Sequence, residues 1–116
     1  MKFGLSDYLA MYRKRGLKLP FFYFLENHLF DIVNRTETHT WLPKDHFTES
    51  PANFENGVLY MSSWTSIIQS ATKFVLDSFS IEPADCAFVD IGCGKGKVMC
   101  VWRKMLPETA SVIGID

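Results

Sequence analysis

Apolar positions along the chain recur first with a helical period and then with a strand-like one. Trp64, Ile67, Ile68, Ala71, Phe74, Val75 and Phe79 fall on one side of a helix, the clearest amphipathic pattern in the sequence. Ser62 or Ser63 stands where its N-cap belongs, and Pro83 in the following SIEPAD stretch blocks continuation. A second stripe, Phe21, Phe24, Leu25, His28, Leu29 and Ile32, predicts a helix that starts near Pro20 and buries that face. Before it, Ser6 as N-cap, the segment DYLAMYRKR and Gly16 predict a short helix. Between Asn34 and Asn56 the periodicity dissolves into turn-prone residues, which predicts a long irregular connection.

Beyond residue 80 the pattern changes. Cys86 to Ile91 is a short apolar run suited to a strand buried on both faces. Val98, Val101, Trp102 and Met105 then mark one helix face, Leu106 to Thr109 reads as a turn, and Ser111 to Ile115 reads as a second strand. Strand, glycine-rich loop, helix and strand make one βαβ unit. The expected class is therefore α/β, with a helical and irregular cap over 1–58 and the βαβ-containing part over 59–116. Of the 17 aromatic residues, 13 lie in residues 1–64, so the cap is aromatic-rich.

Composition narrows the functions this pattern could serve. With 47% hydrophobic and 22% charged residues the 116-residue chain is globular in type, and a net charge of −1 provides no uniform positive field for nucleic acid. Arg13, Lys14, Arg15 and Lys18 cluster locally, where cations also suit a helix C-terminus. Cys86, Cys93 and Cys100 form no CxxC pair, and His28, His39 and His46 are scattered, so neither a disulfide framework nor a metal site is expected. The most apolar stretch, Leu19 to Leu25, is cut off by Glu26 and falls short of the roughly 20 residues that span a bilayer. No membrane contact is expected and the cytoplasm is the default compartment.

The chemistry is concentrated in FVDIGCGKGK, residues 88–97. Three glycines at alternate positions are costly to order, and a sharp strand-to-helix turn with its backbone close to a ligand accounts for them. The helix that follows directs its first N–H groups and positive dipole end at the same place, so a nucleotide-like or carboxylate-bearing ligand is expected. The dinucleotide fingerprint GxGxxG requires a small residue where Lys97 stands. A P-loop requires glycine where Ile91 stands and Ser or Thr where Val98 stands.

What remains, Asp90-x-Gly92-x-Gly94-x-Gly96 after an apolar strand, resembles motif I of the class I (seven-strand, Rossmann-like) S-adenosylmethionine-dependent methyltransferases. The resemblance extends to Asp116, which closes the second strand 20 residues after Gly96 (116 − 96). In that family an acid at this place binds both ribose hydroxyls of the cofactor. The resemblance implies that Gly92, Gly94 and Gly96 pass close to the methionine and ribose moieties, and that Asp90 orients the loop or the ammonium group. Lys95 would either hold the methionine carboxylate or stand exposed at the helix start. The stretch GVLYMSSWTSIIQ is similar to a tyrosine-containing lid of some family members, with Tyr60 and Ser63 as contacts; alternatively Tyr60 packs and Ser63 caps a helix. Phe30-Asp31 and Thr38–Thr40 also resemble a bacterial group of such enzymes, without roles attached.

The implied reaction is transfer of the sulfonium methyl group to an acceptor, with protein lysine, nucleic acid and a small molecule as the alternatives. The family's adenine-binding loop and fourth-strand motif have no counterpart in the sequence. The expectation is thus the N-terminal part of a methyltransferase, binding S-adenosylmethionine weakly or not at all by itself. A non-catalytic remnant or scaffold, and a nicotinamide-dependent oxidoreductase, are the alternatives.

Overall fold

The computed structural model describes residues 4–40 and 61–116, and the chain divides into two compact units, Met1–Ser62 and Ser63–Asp116. Tyr60, and residues 41–56 of the expected irregular connection, lie outside the described residues.

The first unit is helical. Helix α1 (Leu5–Arg15) starts after Gly4, not Ser6: the Asp7 carboxylate accepts the Gly4 N–H at 2.8 Å, so an acid in the first turn takes over the capping role. Gly16 (φ 71°) ends it as expected. Helix α2 (Lys18–Tyr23) runs through a π-helical segment (Phe24–Leu29) into α3 (Phe30–Asn34) with helical backbone at each junction. The expected buried stripe is not the one buried. Phe21, Phe24, Leu29 and Ile32 are exposed, whereas Pro20, Asn27, Phe30 and Asp31 are buried. A π turn holds one residue more than an α turn, so the faces rotate out of the regular period across residues 24–29. Buried Asn27 meets its need internally, donating from Nδ2 to the Tyr23 carbonyl at 3.2 Å.

The second unit holds α4 (Thr65–Phe79), a 3-10 turn (Pro83–Asp85), β1 (Ala87–Ile91), α5 (Lys97–Met105) and β2 (Ser111–Ile115). Helix α4 begins after Trp64, so neither Ser62 nor Ser63 is its cap. The strands pair in parallel from Ala87↔Ser111 to Ile91↔Ile115. The result is a mixed helix-and-strand chain with a two-strand parallel sheet.

Helix α5 packs on one sheet face, where the Phe88 and Trp102 rings lie 5.6 Å apart, and Val101 is buried to 2% exposure. Trp102 Nε1–H donates to Thr72 Oγ1 of α4 at 2.8 Å. Helix α4 correspondingly turns Ile68, Thr72 and Leu76 inward and leaves Ile67, Phe74, Val75 and Phe79 exposed. The opposite sheet face is bare: Val89, Ile91, Ile113 and Ile115 are exposed, so β1 is covered on one face and not on both. No described helix is long and apolar enough to cross a membrane.

Candidate functional site

The site forms where β1 and β2 end together. Because the strands are parallel and in register, the turn after Ile91 emerges beside Ile115. Gly92 and Cys93 both donate their N–H groups to the Ile115 carbonyl, at 2.6 and 3.1 Å, and Gly96 N–H donates back to the Cys93 carbonyl at 2.8 Å. The loop is thereby strapped to β2 before it enters α5. Gly92, Gly94 and Gly96 have φ of 79°, 47° and 73°, a left-handed region that costs an L-residue roughly 1–2 kcal/mol. The alternation of glycines is a conformational requirement of this turn.

Asp116 reaches into it. Its Oδ1 accepts the Gly94 N–H at 3.2 Å, while Oδ2 has no hydrogen-bond partner among the described residues. Four amides of the loop (Gly92, Cys93, Gly94 and Gly96) are therefore already committed to protein acceptors. The expected cradle of open amides is in fact a glycine surface without Cβ atoms, edged by carboxylate. Asp90, on β1 opposite Gly114, adds a second carboxylate. Burial and the neighbouring Asp116 charge both push its pKa up from the ordinary carboxylate value. Two like charges share this end of the sheet.

The structure thus brings together Asp90, Gly92, Gly94, Gly96 and Asp116. Lys95 is half-buried within the loop, two residues before α5 begins, and so does not stand exposed at the helix start. Ser63 is exposed on the approach to α4, and Tyr60 lies outside the described residues. Lys97, at the position where a dinucleotide fingerprint needs a small residue, is buried to 2% exposure in the first turn of α5.

Two contributors escaped the sequence reading. Met99 and Cys93 lie over Gly114: a Cβ at Gly114 would stand 2.6 Å from Met99 Cε and 2.8 Å from Cys93 Sγ. A glycine in the middle of a strand is itself the signal of a close approach. Among the described residues no group of three or more His, Cys, Asp or Glu side chains could hold a metal ion. No family model, curated protein or solved structure matches the chain.

Proposed function

We propose that residues 63–116 are the cofactor-binding beginning of an S-adenosylmethionine-dependent methyltransferase, the first βαβ unit of a Rossmann-like sheet. The observation that carries the reading is the pair of carboxylates, Asp90 and Asp116, flanking a glycine turn whose amides are largely spoken for. Such an edge repels phosphate and favours a ligand that brings positive charge and hydroxyl donors. S-adenosylmethionine offers a sulfonium, an ammonium and a ribose diol. Asp116, with Oδ2 open and two lone pairs on each oxygen, suits the diol, and Asp90 suits the cationic end. The glycine turn lets the ligand lie against bare backbone. A nicotinamide dinucleotide fits less well, because its pyrophosphate would meet the two carboxylates and buried Lys97 stands where its fingerprint needs a small residue.

Chemistry in such an enzyme is in-line attack of the acceptor on the sulfonium methyl group, releasing S-adenosylhomocysteine. The share of these residues is to align the cofactor. The rival reading, a non-catalytic scaffold that has kept this turn, has no observation of its own in its favour.

Backbone-amide NMR on the full chain tests the proposal even at weak affinity. Millimolar S-adenosylmethionine is expected to shift Gly92, Gly94, Gly96 and Asp116, and Asp116→Ala to abolish the shifts. Equal or larger shifts with NAD, or none at these residues with S-adenosylmethionine, would overturn it.

A further inference from the structure

The helical unit carries an ionisable cluster of its own, centred on Asp31 in α3. The helix ends with Arg35 in the left-handed conformation (φ 54°), and the Thr36 N–H returns to the Asp31 carbonyl at 3.0 Å. The chain then wraps the Asp31 side chain. Oδ1 accepts the hydroxyls of Thr36 at 2.6 Å and Thr38 at 2.7 Å, while Oδ2 accepts the His39 backbone N–H at 2.8 Å and stands 2.5 Å from His39 Nδ1. Asp31 is only 4% exposed. Burial works to raise its pKa, but hydrogen bonds from Thr36, Thr38 and His39 outweigh burial and hold it well below the usual carboxylate range.

An ionised carboxylate at Nδ1 fixes the histidine tautomer. The neutral ring keeps its proton on Nδ1 and presents a lone pair at Nε2. The His39 side chain is about one-fifth exposed, and Nε2 has no hydrogen-bond partner among the described residues. His28, of the π-helical segment, lies against it with ring centroids 4.2 Å apart. Tyr8 of α1, Tyr23 of α2 and Phe24 enclose His28 at 5.8 to 6.0 Å. Burial first, then His39, lower the His28 pKa against the opposing pull of Asp31. The Tyr8 phenol is pushed up to about 12 by burial and by Tyr23, and the Glu37 carboxylate accepts the Thr40 hydroxyl at 3.0 Å. Near neutral pH, Asp31 is thus the charge in direct contact with the His39 ring.

We propose that Asp31 and His39 form a proton-accepting site for a protic nucleophile, a hydroxyl, thiol or amine. The X–H bond breaks, its electron pair stays on X, and the proton bonds to Nε2. Asp31 remains ionised throughout, setting the tautomer and holding the imidazolium that forms. The uncharged His28 face beside the ring leaves room for one positive charge in the cluster and penalises a second. The site does not depend on the S-adenosylmethionine reading, because every group in it belongs to residues 8–40.

The test uses the full chain and p-nitrophenyl acetate, an ester that water attacks faster when a base takes its proton. The oxygen of a water molecule bonds to the acyl carbon as its proton passes to Nε2, p-nitrophenolate leaves with its electron pair, and the acetic acid and the imidazolium each give a proton to solvent. His39→Gln is expected to lower the rate of p-nitrophenolate release by about tenfold or more, at the conservative end of general-base effects. Asp31→Asn should act in the same direction, by releasing the tautomer. Nitrogen NMR of the histidine rings in the wild-type chain, which needs no variant, should find the neutral His39 proton on Nδ1. A folded His39→Gln protein that reacts as fast as wild type, or a neutral His39 carrying its proton on Nε2, would overturn the proposal.

Discussion

Gly114 shows how a single missing side chain shapes the site. It lies opposite Asp90 in the sheet register, on the side of β2 covered by α5. The space a Cβ would fill is occupied by Met99, whose Sδ and Cε are both within contact, and by Cys93 Sγ. The thioether can swing aside, because methionine has three rotatable bonds. The cysteine cannot move as freely, since its own N–H is tied to the Ile115 carbonyl. Gly114→Ala is therefore expected to destabilise the second unit by about 1–3 kcal/mol, the usual range for overpacking. Shortening the flexible partner as well, in Gly114→Ala/Met99→Ala, should recover part of that loss. Denaturant midpoints of the two variants check it; a neutral Gly114→Ala would mean that the space is not shared.

At the scale of elements, what was legible depended on whether the local period survived folding. The boundaries of α5 and β2 follow directly from the apolar spacing, because both keep a regular period and each packs one face. The stripe on residues 21–32 fails because the π-helical segment inserts extra residues into its turns, and a regular 3.6-residue reading cannot anticipate that. Helix α4 lies where the apolar period puts it. The face it turns inward, with Ile68, Thr72 and Leu76, also carries a polar contact, Trp102 Nε1–H to Thr72 Oγ1, which leaves no hydrophobic signal in the sequence. The glycine turn was legible because positive φ leaves a compositional mark, whereas the Asp31 wrap left only a scatter of Thr and His. The α4–α5 contact predicts that Trp102→Phe, which keeps a ring against Phe88 and removes the donor, lowers stability by about 0.5–1.5 kcal/mol. Pairing it with Thr72→Val should cost less than the sum of the two single changes in a double-mutant cycle. Strict additivity would show that the hydrogen bond does not join the helices.

Across the whole molecule, the two units carry carboxylates displaced in opposite directions, so acid should act on them with opposite sign. Asp31 has a folded pKa below its unfolded one. The unfolded state then binds the proton first, and the stability Asp31 contributes is present above the ordinary value of about 3.9 and is lost as pH falls below it. Asp90 has a folded pKa above its unfolded one, through burial and then through Asp116. Its ionised form weighs against the fold at neutral pH, and that penalty is relieved as pH falls through the raised value towards the ordinary one. Acidification from pH 7 should therefore spare or slightly strengthen Ser63–Asp116 and then, below about pH 4, weaken Met1–Ser62 selectively. The amides of Thr38 and His39 report the first unit, and the indole N–H of Trp102 reports the second. In an acid titration followed by NMR, native signals of the first pair are expected to disappear at higher pH than that of Trp102. Asp31→Asn should flatten the pH dependence of the first unit alone, and Asp90→Asn that of the second. Loss of all three signals at one midpoint would instead mean that the units unfold as a single cooperative body, with the net proton balance of the whole chain and not either carboxylate setting its acid limit.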